Sequence, residues 1–131
     1  VLYVFQLLLT IILCLKLIAC SCCPSRFSSH HFEFKPAEID VLVGKDREGF
    51  FTSGLTLGGK KCSVIRDSLQ IENDWTMDIR TKSQGGEPTY NISVGKAGKA
   101  LVIVMGKEGV HGGGLNKKAY QMADYLRKLS Y

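Results

Sequence analysis

The sequence has little cysteine outside its first 23 residues, and this scarcity restricts its redox chemistry. Four of the five cysteines in the 131 residues lie between positions 14 and 23, and Cys62 is the single cysteine of the remainder. One cysteine cannot form a disulfide within its own domain, so the main body is expected to fold where thiols stay reduced, as they do in the cytoplasm. A chain of this length has room for one hydrophobic core.

Recognisable metal motifs are lacking as well. His30 and His31 follow Cys20, Cys22 and Cys23, and cysteine with histidine is the usual ligand set of zinc. Their spacing, however, matches no ordinary zinc motif. We therefore expect no metal site and no cofactor.

Enzyme motifs are incomplete. Residues 54–61, GLTLGGKK, resemble a phosphate-binding loop, but Lys61 occupies the position at which Ser or Thr would hold magnesium. The residues that follow favour a strand, whereas that motif continues into a helix. His111 could act as a general base, but such a base also needs a nucleophile and an orienting carboxylate, which the sequence does not identify. We interpret the loop as a turn and His111 as a surface residue, and we expect no enzyme; a nucleotide-dependent enzyme is the alternative.

A long hydrophobic run opens the sequence. Residues 1–23 contain one charged residue, Lys16, and show neither helical nor strand periodicity. Their length approaches the roughly 20 residues that span a bilayer, but Lys16 interrupts the run and no basic region precedes it, as a signal peptide requires. We predict an atypical hydrophobic segment at 1–23, a polar linker at 24–33 and one domain at 34–131. Membrane anchoring by residues 1–19 is the alternative.

The charge balance is basic. A formal net charge of +5 at pH 7 favours acidic partners, such as an anionic lipid or an acidic protein surface. No nucleic-acid-binding motif accompanies the basic residues, so we expect no nucleic acid partner.

Beyond Lys35, short β-branched runs alternate with turn residues, which is typical of an antiparallel sheet. Glycine pairs at 58–59 and 85–86 mark two of the turns. The predicted strands are Ile39 to Val43, Gly49 to Ser53, Leu55 to Leu57, Lys61 to Asp67, Thr76 to Thr81, Tyr90 to Val94, and Ala100 to Met105.

The end of the chain predicts an amphipathic helix. Leu115, Ala119, Met122, Ala123 and Leu126 recur at helical spacing, with charged and polar residues between them. Three consecutive glycines just ahead of them suit a strand-to-helix junction. The sequence therefore predicts an α+β fold, in which an antiparallel sheet is packed by a C-terminal helix.

Three stretches of the sequence resemble the profilin family. They are VLVGKDREGFFTSGLTLGGKKCSVIRDSL at 41–69, MDIRTKSQGGEPTYNISVG at 77–95 and VMGKEGVHGGGLNKKAYQMADYLRKLSY at 104–131. The resemblance covers essentially all of residues 34–131 and implies the profilin fold, an antiparallel sheet flanked by N- and C-terminal helices. Residues 1–33 depart from it, which implies an N-terminally truncated domain whose first helix and first strands are missing or replaced.

The resemblance also implies a function. Profilins are cytoplasmic proteins that bind monomeric actin, promote exchange of its nucleotide and deliver it to growing filaments, so this chain is expected to regulate actin polymerisation and the cytoskeleton. In the family the actin surface comprises the later strands and the start of the last helix. The matching positions here are Lys61, Ser63, Val64, Ile65, Arg66, Arg80, Lys82, Thr89, Asn91, Val110, His111, Gly113, Asn116, Lys117, Tyr120 and Gln121.

Two further ligands follow from the same reasoning. Profilins bind proline-rich ligands in an aromatic groove between the first and last helices, and only the C-terminal half of that groove matches here, so this binding is expected to be weakened. Its matching residues are Tyr125, Leu126 and Tyr131. Phosphoinositide lipids are expected to bind the basic residues Lys61, Arg80, Lys82, Arg127 and Lys128. A membrane-anchored or non-functional profilin-like variant is the alternative.

Overall fold

A computed structural model describes residues 15–18, 35–98 and 100–130, which form a six-stranded antiparallel sheet with helices on both faces. The elements in chain order are β1 (Leu15–Ile18), α1 (Pro36–Val43), α2 (Gly49–Ser53), β2 (Leu55–Leu57), β3 (Lys60–Ser68), β4 (Thr76–Thr81), β5 (Asn91–Lys96), β6 (Leu101–Gly106) and α3 (Gly112–Lys128). The strand order across the sheet is β1-β6-β5-β4-β3-β2. This architecture confirms the predicted α+β class.

The later strands and the last helix follow the sequence pattern. Strands β2 and β4 have the predicted bounds, whereas β3, β5 and β6 begin or end within two residues of them. Helix α3 begins about one turn before the predicted apolar stripe, because it includes the glycines that precede Leu115. In these elements the β-branched runs and the helical spacing agree with the tertiary packing.

The predictions of strands at Ile39 to Val43 and at Gly49 to Ser53 are wrong, because both segments are helical. Pro36 lies in the first turn of α1, where its missing N–H group costs nothing and its fixed φ favours the helix. Leu42 is fully buried, and Ile39 and Val43 pack against the same core. Burial of this helical stripe outweighs the strand preference of the β-branched residues.

The link between α1 and α2 is held by Arg47. Its guanidinium donates two hydrogen bonds of 2.8 Å to the two carboxylate oxygens of Asp67 in β3. It also donates to the carbonyl oxygens of Leu42 and Gly44 at the end of α1. Burial acts to raise the pKa of Asp67, but the hydrogen bonds from Arg47 and from the Leu69 N–H group outweigh it, so the pKa is lowered. The pair stays ionised and fixes this link on the sheet.

An edge of the sheet is formed by part of the predicted hydrophobic segment. Residues Leu15–Ile18 pair antiparallel with β6, with Leu15 opposite Gly106 and Ile18 opposite Ile103. Residues 15–18 are thus a strand in a segment whose sequence showed no strand alternation. The predicted boundaries at 23 and 33, and the cysteines and histidines at 20–31, lie outside the described residues. Within the described ranges, no helix has both the length and the apolar character needed to cross a bilayer.

The sheet separates two hydrophobic cores. The larger core lies under α1 and α2 and comprises Leu42, Phe50, Leu55, Leu57, Cys62, Val64, Leu69, Met77, Ile79, Ile92, Val94, Leu101 and Ile103. The second lies under α3 and comprises Ala97, Ala100, Val102, Val104, Leu115, Ala119, Ala123 and Leu126. Burial in the larger core raises the pKa of the Cys62 thiol to about 11, so this cysteine is an unreactive core residue.

Helix α3 approaches β5 very closely at Gly95. A Cβ atom at this position would lie 2.5 Å from the carbonyl oxygen of Ala119 and 2.9 Å from the Cβ atom of Ala123. The small residues on both elements therefore set the height of the helix above the sheet. No side chain larger than hydrogen fits at position 95 without moving the helix.

We predict that Gly95→Ala lowers the free energy of unfolding by about 1–3 kcal/mol, because the added methyl group overpacks this contact. Urea denaturation followed by circular dichroism measures the change. The control is Gly114→Ala in α3, where an added Cβ meets no atom within 4 Å; this change is expected to be neutral or to stabilise by up to about 1 kcal/mol. Equal stability of Gly95→Ala and wild type would contradict the described packing.

Candidate functional site

One face of the sheet carries polar side chains on three neighbouring strands. In β4, Met77 and Ile79 point into the larger core, so the alternating residues of that strand point to the opposite face. Helix α3 packs mainly on β5 and β6 and leaves much of this face uncovered. The polar face, as we name it, consists of Ser63, Arg66, Thr76, Asp78, Arg80, Asn91 and Ser93.

A bulge in β3 changes which residues reach this face. Ser63 pairs with Arg80 and Arg66 pairs with Asp78, and the register shifts between them. Ile65 is the extra residue, and its side chain is 61% exposed. The bulge thus places an apolar side chain in solvent beside a charged one, as bulges near binding sites commonly do.

Arg66 forms the charged centre of the polar face. Its Nε donates to Asp78 Oδ2 at 3.1 Å and its Nη1 donates to Asp74 Oδ2 at 2.9 Å. Burial acts to lower the pKa of Arg66, but hydrogen bonds to Asp78 and Asp74 outweigh it, so the pKa is raised. Burial likewise acts to raise the pKa of Asp74, and the hydrogen bonds from Thr76 and Arg66 leave it lowered. The Arg66 guanidinium and the carboxylates of Asp74 and Asp78 are therefore held together by charge-assisted hydrogen bonds.

The other oxygen of Asp78 faces β5 and α3. Its Oδ1 accepts a hydrogen bond from Ser93 Oγ at 2.9 Å and one from Asn116 Nδ2 at 2.9 Å. Asn116 Nδ2 also lies 3.2 Å from Thr76 Oγ1. One carboxylate thus connects two strands of the polar face with the helix.

Helix α3 contributes an exposed stripe next to the polar face. Gly113, Asn116, Lys117, Tyr120 and Gln121 recur at intervals of three and four residues, which places them on one side of a helix. They lie beside the buried stripe that faces the second core. The helix stripe, as we call these five residues, is the part of α3 that adjoins the strands.

The loop before α3 is fixed to the sheet. Asn91 Nδ2 donates a hydrogen bond of 2.9 Å to the carbonyl oxygen of Val110. His111 is the N-cap residue of α3 and its side chain is exposed. These contacts place Val110 and His111 at the border between the polar face and the helix stripe.

Arg80 and Thr89 meet at the end of the polar face. Thr89 Oγ1 accepts hydrogen bonds from Nε and Nη2 of Arg80 at 3.1 and 3.0 Å. Next to them, the N–H group of Lys82 donates to the carbonyl oxygen of Lys61 at 2.8 Å, so the backbones of these two lysines are paired one step beyond the Ser63–Arg80 pair. Three basic residues therefore lie at this end of the sheet.

Most of the predicted actin-contacting residues thus lie on one side of the sheet, and Val64 does not. Its side chain is 8% exposed and packs in the larger core on the opposite side. Strand alternation explains this, because Cys62 and Val64 both point into the larger core, whereas Ser63 between them points to the polar face.

The predicted proline-rich-ligand residues have different environments. Tyr125 is half-exposed on α3, whereas Leu126 is 4% exposed and belongs to the second core. Tyr131 lies outside the described residues. Leu126 therefore packs α3 against the sheet and offers little surface to a ligand.

The five predicted phosphoinositide residues form two separate groups. Lys61, Arg80 and Lys82 gather at one end of β3 and β4. Arg127 and Lys128 lie at the C-terminus of α3, where both pair with Asp124, at 3.7 and 2.8 Å. Arg127 also donates to the carbonyl oxygen of Lys96. The second group is consequently engaged within the protein.

Sequence reasoning missed Asp74, Asp78 and Ser93 as members of this site. Each of them binds another polar side chain and none stands in a recognisable motif. The available signal was the alternation in β4, where Thr76, Asp78 and Arg80 separate apolar residues. This alternation predicts a polar sheet face, but it does not predict which helix residue meets it.

The glycine-rich loop that resembles a phosphate-binding loop is occupied by a side chain of the protein. Gly58 and Gly59 both have positive φ and their N–H groups donate to the carboxylate of Glu38, at 2.9 and 3.0 Å. The same carboxylate accepts from the N–H group of Lys35 at the start of α1. The loop leads into strand β3, as predicted, and its N–H groups connect α1 to the β2–β3 turn.

We predict that Glu38→Ala lowers the free energy of unfolding by about 1–3 kcal/mol, because it removes the acceptor of three backbone N–H groups. Thermal unfolding measures this loss, and the exposed residue Glu87 supplies a control, Glu87→Ala, with an expected change within about 0.5 kcal/mol. Neither wild type nor variant is expected to bind ATP in titration calorimetry. Saturable ATP binding by the wild type would contradict the assignment of this loop as a structural turn.

Comparisons with known proteins agree with this architecture. The family model described as Profilin matches residues 17–131. Rat profilin-2 is 83% identical over 92 residues, a match that covers 70% of this chain and 66% of the rat protein. The matched part therefore spans just under two thirds of the length of this relative.

Solved structures superpose well on the chain. The crystal structure of rat profilin 2a has a TM-score of 0.83 and 60% sequence identity, and the match covers 98% of this chain and 94% of that one. Mouse profilin IIa in complex with a double repeat from the FH1 domain of mDia1 has a TM-score of 0.80 and 62% identity, covering 90% and 88%. Together with the family model, these similarities show that the chain belongs to the profilin family.

Proposed function

We propose that this chain binds monomeric actin through the polar face, the helix stripe and the loop that joins them, and thereby regulates actin polymerisation. The observation that carries the proposal is that fourteen of the sixteen positions expected from the profilin resemblance lie outside the hydrophobic cores; Val64 belongs to the larger core, and Val110 packs, partly buried, against the second. Most of them are placed by β3, β4, β5 and the first half of α3. Membership in the profilin family supports a binding protein that is not an enzyme.

The chemistry of this surface suits a protein partner. Ile65 and Tyr120 are exposed apolar and aromatic side chains, and the guanidinium of Arg66 is held in place by its hydrogen bond to Asp78. Aromatic residues and arginine contribute most to protein interfaces, and a polar rim around them gives specificity. Lys61 and Lys117, both exposed, would steer an acidic partner such as actin toward this face.

Nucleotide exchange on actin follows from binding without bond chemistry on this chain. A protein that binds one actin conformation more tightly than another shifts actin toward the favoured state. If the favoured state holds its nucleotide more loosely, binding and nucleotide release are coupled by the same free energy. We propose that the chain promotes exchange in this way.

We predict that Lys117→Glu weakens binding to monomeric actin by roughly five- to tenfold, because it reverses a charge within the helix stripe. The control is Lys118→Glu, which makes the same change of charge one residue away. Lys118 is exposed but lies outside the helix stripe, so this variant is expected to bind within about twofold of wild type. The measurement uses actin that carries a fluorescent nucleotide, and it follows both affinity and nucleotide release.

Saturable binding of the wild type with faster nucleotide release supports the proposed function. Equal weakening by both lysine variants would show that net charge matters and the helix stripe does not. Absence of binding by the folded wild-type chain would favour the alternative of a non-functional profilin-like variant.

Proline-rich ligands form a second proposed partner class, with weakened affinity. The mouse profilin IIa structure contains a double repeat from an FH1 domain, and the half-exposed Tyr125 on α3 offers an aromatic ring of the kind that packs against a polyproline helix. Leu126, the next residue, is buried in the second core and packs the helix against the sheet. One exposed ring gives less contact area than a groove of several, so we propose weak binding.

Phosphoinositide lipids are a third proposed ligand. Lys61, Arg80 and Lys82 lie at the same end of β3 and β4 and have no carboxylate partner among the ion pairs of the described residues. Arg127 and Lys128, in contrast, both pair with Asp124. We therefore propose that the first group provides most of the lipid affinity. We also propose that the protein acts in the cytoplasm at the cytoskeleton, with membrane anchoring by residues 1–19 as the alternative.

We predict that Lys82→Gln lowers binding to vesicles containing phosphatidylinositol bisphosphate by about fivefold, since each lysine near an anionic surface contributes roughly 1 kcal/mol. Lys128→Gln removes the same charge, but Lys128 pairs with Asp124 and a change below about twofold is expected. Vesicle co-sedimentation measures both. Equal binding to vesicles of neutral lipid would instead support hydrophobic anchoring.

A further inference from the structure

We propose that Asp78 is a positioning residue of the actin-binding surface, which holds Arg66 and Asn116 in the arrangement that actin meets. The inference rests on the proposed actin binding. Asp78 receives three hydrogen bonds from three different elements: Arg66 Nε of β3 at 3.1 Å, Ser93 Oγ of β5 at 2.9 Å and Asn116 Nδ2 of α3 at 2.9 Å. Asp78 therefore joins the two halves of the surface.

The charge of Asp78 argues for positioning over direct attraction. A carboxylate in a surface that meets an acidic partner is repulsive in itself. Asp78 is 23% exposed at its side chain, and both of its oxygens already accept hydrogen bonds within the protein. It reaches the partner chiefly through the residues that it orients.

Loss of this carboxylate changes both residues that it holds. Arg66 keeps its hydrogen bonds to Ser68 at the end of β3, to Asp74 in the β3–β4 turn and to Thr76 in β4. Its Nε, which binds Asp78, then has lost that partner. Asn116 keeps only its contact with Thr76. Both side chains gain freedom that must be lost again on binding, and this loss lowers affinity.

A substitution at Ser93 distinguishes a positioning effect from a direct contact with actin. Its side chain is fully buried, so it cannot touch a partner, and its hydroxyl donates to Asp78. Any effect of a Ser93 substitution on actin affinity is therefore transmitted through the residues that Asp78 holds. Ile79 offers a matched control for stability, because it neighbours Asp78 in β4 but points into the opposite core.

The test measures actin affinity, association rate and thermal stability for residues 1–131 as wild type, Asp78→Asn, Ser93→Ala, the double variant of these two, and Ile79→Val. Asn has one acceptor oxygen where three donors converge, so we expect Asp78→Asn to bind actin about tenfold more weakly. Ser93→Ala is expected to bind about threefold more weakly, and Asp78→Asn with Ser93→Ala no more weakly than Asp78→Asn alone. Ile79→Val loses stability but is expected to retain wild-type affinity.

Whether Asp78→Asn weakens or strengthens actin binding distinguishes positioning from charge repulsion. Removal of a negative charge predicts a faster association with acidic actin if electrostatics alone acts, whereas positioning predicts weaker binding. Wild-type or tighter binding by Asp78→Asn, or a Ser93→Ala variant that binds like Ile79→Val, would overturn the inference while the proposed function stands. Absence of actin binding by the wild type would overturn the proposed function and, with it, this inference.

Discussion

The close contact between Gly95 and helix α3 is the constraint on which the candidate site depends. Because Gly95 has no side chain, the Ala119 carbonyl oxygen and the Ala123 methyl group lie directly against β5. The helix is thereby low enough on the sheet for the Asn116 amide to reach Thr76 and Asp78 of β4. A helix held further from the sheet would leave strand residues and helix residues as two separate surfaces.

The two faces of the sheet are stabilised in different ways. The face under α1 and α2 is a large apolar core, to which the ion pair of Arg47 and Asp67 adds one buried fixed point. The polar face lacks that cover over β3 and β4, and its side chains satisfy one another through Arg66 and Asp78. Such hydrogen bonds order the side chains before any partner arrives, which reduces the entropy lost on binding. Preorganisation is thus a property of the uncovered face, where the proposed partner binds.

Sequence patterns predicted the parts of the fold in which local preference and tertiary packing agree. The β-branched runs of β4 and β6 and the apolar stripe of α3 are examples. The segment Ile39 to Val43 was mispredicted because its β-branched residues also fit a helical stripe, and burial of Leu42 decided between the two. The bulge at Ile65 and the contacts of Asp78 depend on register between distant strands, which no local pattern contains. The resemblance to profilins supplied the candidate contacts but not the carboxylate that holds them.

The two proposed binding sites use different parts of the described chain. The actin surface uses residues between Lys61 and Gln121, and its hydrogen bonds join β3, β4, β5 and α3 among themselves. The proline-rich site has only Tyr125 as an exposed ring among its described residues. Strand β1, at residues Leu15–Ile18, contributes no residue to either proposed site. Since β1 occupies the sheet edge beside β6, on the far side of β5 from β3 and β4, its influence on the polar face must pass through the sheet. The proposed actin-binding and proline-rich sites are for this reason separable parts of the structure.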